Sequence, residues 1–179
     1  MSESIPACIS IGGKVRANLA PQLCKAIAVE GVALEWGDGH FRPKSPHELL
    51  EARREIDGTP VLWLCDDQAN WGRFAALEAF LVKHGIAFNC QSDGKGEFSP
   101  DLIVFRPGFG PVRIMTSTGG EPVITAKSME PVKTGLHAAI TAGKRADLQE
   151  CLSQLEVAQT ALHAALPPAI RPLPPFEVG

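Results

Sequence analysis

Residues 61–65 read Val-Leu-Trp-Leu-Cys, an unbroken apolar run closed by Asp66 and Asp67. A run this short and this apolar is the pattern of a strand covered on both faces. Such a strand needs partners in a sheet and a layer of helices over it, and its flanks predict both. Before it, SPHELLEARREIDG (45–58) predicts a helix with Ser45 as cap, Pro46 in the first turn and Glu48 completing a capping box. Leu49, Leu50 and Ile56 form its apolar stripe, and Gly58 ends it. After it, FAALEAFLVKHG (74–85) predicts a second helix, with Phe74, Leu77 and Leu81 inward and Gly85 as its stop.

The remaining segments extend the same scheme. ACISIGGKVRANLA (7–20) predicts a hairpin that turns at Gly12-Gly13. A helix follows from Pro21 to Glu30, stopped by Gly31, and VALEW (32–36) alternates like a strand. IAFNC, DLIVFR and VRIMTST read as further strands, and Gly119-Gly120 as a turn into a last strand, PVIT. Helices and strands alternate first and antiparallel hairpins follow. The expected fold class is therefore α+β, a mixed, largely antiparallel sheet with helices mainly on one face.

The composition changes near residue 127. Residues 1–127 form the expected α+β core and 128–166 a helical appendage, in which KSMEPVKTG (127–135) is a linker. In the long helix that follows, Leu148, Cys151, Leu155, Ala158, Leu162 and Ala165 recur every three or four residues. This seam serves either to dock the helix on the core or to assemble copies of the chain through residues 147–166. Residues 167–179 are a proline-rich tail.

Charge and cysteines narrow the function. The formal net charge is -3 with no basic run, which argues against nucleic-acid binding. The five cysteines form no Cys-x-x-Cys pair, so neither a disulfide framework nor a zinc site is expected, and a reducing cytoplasm fits best. No signal-peptide pattern or membrane-length apolar run is present, and no cofactor is expected.

Catalytic patterns fail residue by residue. Asp66 and Asp67 end an apolar run as a Walker B element does, but no Walker A loop accompanies them: IGGK (11–14) has Cys8 and Val15 where that loop needs Gly and Ser or Thr. Pro100-Asp101 fits the start of a PD-(D/E)xK nuclease motif, yet VRIMTST supplies no acid-x-Lys. Asp66 or Asp67 then reads first as a cap for the helix that follows. The alternative is a small metal-dependent hydrolase with Asp66, Asp67 and Glu78 at the strand end. Cys65 reads as a core thiol, and Trp63 as a core indole.

Binding residues are easier to nominate. The loop GDGHFRP places His40, Phe41 and Arg42 between glycines and a proline, and FRPGFGP does the same for Arg106 and Phe109. Trp71 falls where a helix would expose it. Aromatic and arginine side chains of this kind dominate interaction hot spots. In the tail, Arg171, Pro172, Leu173, Pro174 and Pro175 resemble the arginine-first ligand class of SH3 domains, with Glu177 where a further proline is usual. The resemblance implies a partner that reads a polyproline II helix through Arg171 and Leu173. The alternative is a strap across the domain. The leading expectation is a non-enzymatic protein-binding module, an adaptor, inhibitor or subunit of a complex.

Overall fold

A computed structural model describes residues 3–144, 147–165 and 172–179. The chain divides into two compact units, Met1–Glu121 with Arg171–Gly179, and Pro122–Ile170. The fold class is α+β.

The first unit is a seven-stranded sheet with three helices. Its elements are β1 (Ala7–Val15), α1 (Ala20–Glu30), α2 (Pro46–Glu51), β2 (Arg53–Ile56), β3 (Thr59–Asp66), α3 (Ala75–His84), β4 (Ala87–Ser92), β5 (Asp101–Phe105), β6 (Val112–Met115) and β7 (Phe176–Val178). The strand order is β2-β3-β1-β4-β5-β6, antiparallel throughout, with β7 parallel to the end of β1. Register decides which side chains share a face. Ile9 pairs with Leu64 and Cys90, and Ile11 with Leu62 and Phe88. These residues form one core with Leu23 and Ile27 of α1, Leu49 of α2, and Leu77 and Leu81 of α3. The opposite face carries Cys8, Ser10, Trp63, Asn89 and Gln91, all half-buried. Trp63 is therefore not the core indole expected. The Arg54 guanidinium lies 4.1 Å over its ring and Trp36 meets it edge-on at 5.7 Å.

Several local expectations give way to longer-range pairing. Gly12-Gly13 does not turn, since β1 runs straight through it. A Cβ on Gly12 would stand 2.1 Å from the Pro174 carbonyl oxygen, and Gly13 holds φ +87°. The Gly13 N–H donates to the Pro174 and Pro175 carbonyls at 3.1 and 2.9 Å. The glycine pair thus admits another stretch of backbone. The expected helix over 45–58 stops at Glu51. Ser45 caps it, accepting from the Glu48 N–H, but Asp57 (φ +49°) and Gly58 (φ +75°) form a two-residue hairpin turn that makes Arg53–Ile56 a strand. VALEW is no strand, and only Ala33 bridges to Cys65. The turn at Gly119-Gly120 forms, with the Ser117 N–H donating to Glu121, but PVIT contributes no strand.

The second unit is a helical hairpin, α4 (Ala126–Lys144) and α5 (Leu148–Ala165). The expected linker over 127–135 lies inside α4, which begins at a Thr125 hydroxyl that accepts from the Ser128 N–H. Pro131 forgoes one hydrogen bond to the carbonyl four residues back, and the helix continues. Asp147 caps α5 through the Glu150 N–H at 3.1 Å. Val132, Gly135, Ala139 and Ala142 are buried on α4, and Ala158 on α5. A Cβ on Gly135 would come within 3.0 Å of the Ala158 Cβ, so the helices approach closely. In the expected α5 seam, Cys151, Leu162 and Ala165 are half-buried, whereas Leu148 and Leu155 are exposed. Among the described residues no helix is long and apolar enough to cross a membrane.

Candidate functional site

At the C-terminal end of β3 a loop closes over the sheet edge. Gly31 ends α1 in the left-handed conformation (φ +80°) and turns the chain back. Ala33 and Cys65 exchange backbone hydrogen bonds at 2.7 and 2.9 Å, and the Phe41 N–H donates to the Val32 carbonyl at 2.7 Å. Residues 34–40 are thereby held as a closed loop beside Asp66 and Asp67. Between loop, α1 and β3 lies a cleft of about 410 Å³, lined by Glu30, Glu35, Trp36, Asp38, His40, Asp66, Asp67 and their neighbours.

Five carboxylates thus share one cleft, and four are already anchored. Asp67 Oδ2 accepts from the Gly37 N–H at 3.1 Å and Asp66 Oδ1 from the Gln68 N–H at 2.9 Å. Glu35 pairs with Arg54 at 2.6 Å. Glu30 reaches across to accept from the Leu77 N–H of α3 at 3.0 Å. The expected helix cap is not formed: Asp67 ties down the loop at Gly37 and Asp66 closes a local turn at Gln68. Neither caps α3, which starts nine residues after Asp66; its first-turn donors go to Glu78, which accepts from the Phe74 N–H at 3.0 Å, and to Glu30. Burial, opposed by the Leu77 N–H and reinforced by Glu78 and Asp66, holds the Glu30 carboxyl above its usual pKa. Burial, with Asp67 nearby, pushes the Cys65 thiol up to about 11, so it stays protonated at neutral pH.

The other nominated residues scatter. His40 lines the cleft against Gly31, Phe41 packs on the core and Arg42 is exposed. Trp71 sits at the same end of the sheet, 46% exposed, with φ +55° and its ring 5.2 Å from Phe98. A tryptophan in the left-handed region carries strain of about 1–3 kcal/mol. Arg106 and Phe109 lie at the opposite end. Arg106 is buried and donates to the Phe88 and Phe105 carbonyls at 3.0 and 2.8 Å, while Phe109 is exposed. Leu173 packs at Gly12, and Arg171 lies outside the described residues. Asp101 is buried at the start of β5, where it accepts from the Ser92 hydroxyl at 2.7 Å and pairs with Arg113. Glu78 is tied to Arg73. Among the described residues no three His, Cys, Asp or Glu side chains gather where they could hold a metal ion, so Asp66 and Asp67 find no third ligand there.

Sequence reading missed Glu30, Glu35 and Asp38 as a group. The available signal was two acids flanking Trp36 in a glycine-punctuated loop. No protein-family model, curated protein or solved structure matches the chain.

Proposed function

We propose that the chain is a non-enzymatic protein-binding module whose acidic cleft takes a lysine or arginine side chain from a basic segment of a partner protein. The observation that carries this reading is the gathering of five carboxylates around Trp36 and His40. Backbone donors and Arg54 hold four of them in place, so little order is lost on binding. A cation entering the cleft meets opposite charge on several sides and an indole wall, which suits ammonium and guanidinium groups. Such complementarity acts most on selectivity and association rate. His40 and Trp71, at the same end of the sheet, are available to the rest of the segment.

The test is calorimetric titration of the full chain with a lysine- and arginine-rich peptide and its acidic counterpart, at low and high salt. Binding of the basic peptide alone, weakening with salt, is the expected result. Asp67→Asn keeps an acceptor for the Gly37 N–H and removes a charge; it should weaken binding roughly tenfold. Equal binding of both peptides, or none of either, overturns the reading.

A further inference from the structure

The hairpin of α4 and α5 is packed the wrong way round for helices that stand alone. Small residues fill its own seam: Gly135, Ala139 and Ala142 beside Val132 on α4, and Ala158 on α5. Its large apolar side chains face out. Leu136 is 44% exposed, Ile140 58%, Leu148 74%, Leu152 63% and Leu155 42%. A helix gains most of its stability by burying its apolar stripe, and this pair leaves a substantial part of it in water.

Helical spacing puts these side chains on one face. Leu136 follows the seam residue Gly135, Ile140 follows Ala139, and Leu152 follows half-buried Cys151. One residue turns a helix by about 100°. In two antiparallel helices packed seam to seam, that turn leads to the same side of the pair. The two rows therefore join into a single apolar face across both helices.

Charge selects what covers it. Beside this face α4 carries Lys133, paired with Glu130 of its own helix at 3.0 Å, and Lys144, while α5 carries Glu156 and no lysine or arginine. The face thus has a basic flank on α4 and an acidic flank on α5, and a surface of that kind is complementary to itself. We infer that a second copy of this chain covers it, the two hairpins stacking into a four-helix bundle with α4 of each copy against α5 of the other. A two-fold axis parallel to the helices produces this arrangement and keeps every residue at its own level. The close approach of Gly135 to Ala158 sets that level and places Lys133 about 6 Å, roughly one turn, along the axis from Glu156 of the second copy. The other two-fold stacking, α4 on α4, opposes like charges and is disfavoured.

Sedimentation of the full chain over a dilution series tests this. A dimer that dissociates on dilution is expected. Leu152→Glu should give a monomer with unchanged far-UV circular dichroism, and Ile140→Lys, on the other helix, should do the same independently. Lys133→Glu and Glu156→Lys should each weaken the dimer roughly tenfold, and the double variant should recover most of the loss. A wild-type monomer at about 100 μM, or a dimer as tight as wild type in both apolar-face variants, overturns the inference. A double variant no tighter than the singles overturns the α4-on-α5 arrangement.

Discussion

The two units of this chain solve the burial problem in opposite ways. In the sheet unit the large side chains point inward: Phe74, Phe88, Phe176, Leu62, Leu64, Leu77 and Leu81 are fully buried, and the buried carboxylates arrive paired, Glu78 with Arg73 and Asp101 with Arg113. In the hairpin small side chains make up most of the seam, and Leu136, Leu148, Leu152 and Leu155 are exposed. A core of the first kind is complete within the unit. A seam of glycine and alanine brings two helices close but removes less apolar area from water. The difference shows why apolar composition alone does not measure how finished a core is: the direction of the side chains decides.

Substitutions can break or sharpen this contrast. The largest effect is expected for Phe88→Ala, which empties a fully buried site stacked on Phe105. It should cost about 3–5 kcal/mol in urea unfolding followed by tryptophan fluorescence. Trp36, Trp63 and Trp71 all lie in the sheet unit, so this signal reports on it alone. Glu78→Gln should cost about 2 kcal/mol by the same probe, because it removes the carboxylate that holds both Arg73 and the Phe74 N–H. Gly135→Leu should cost the hairpin about 1–3 kcal/mol, read by circular dichroism, since the side chain enters the contact with Ala158. Leu152→Ala, measured in dilute protein, should shift stability by no more than about 0.5 kcal/mol. A loss there as large as that of Phe88→Ala would collapse the contrast.

The smallest effect concerns pH. The Glu30 carboxyl holds its proton more tightly in the folded chain than in the unfolded one. The stability tied to that proton is complete below the unfolded pKa and is lost as pH rises through the raised folded value. Glu30→Gln copies the protonated form and can still accept from Leu77. It should match the wild type in acid and exceed it at neutral pH; a loss at neutral pH would show that the charged form is the stabilising one.

Local pattern was enough for the strands β3, β4 and β5 and for the helices α1 and α3, where capping glycines and apolar spacing act within one element. It failed where a distant segment overrode local preference. The glycine pair at 12–13 looks like a turn until the Pro174 backbone is seen to cross it. Residues 53–56 continue a helical pattern that Asp57-Gly58 cuts short, a turn signal present in the sequence and outweighed by the apolar stripe before it. Lys127–Gly135 reads as a linker because of Pro131 and Gly135, yet a helix tolerates the first for one lost bond and uses the second for close packing. The cleft was least legible. Its acids come from α1, a loop and β3, separated by up to 37 positions between Glu30 and Asp67, and only the fold brings them together.

The pairing of β7 with β1 also bears on how the protein is made. Gly13–Val15 leaves the ribosome well before its partner Phe176–Val178, which follows only after both hairpin helices have been translated. At about 5–20 residues per second, that strand waits on the order of ten seconds or more for its partner. Throughout that interval the pocket destined for Phe176 stands open, and the nascent sheet carries an unpaired strand end to which a chaperone or a neighbouring nascent chain could bind.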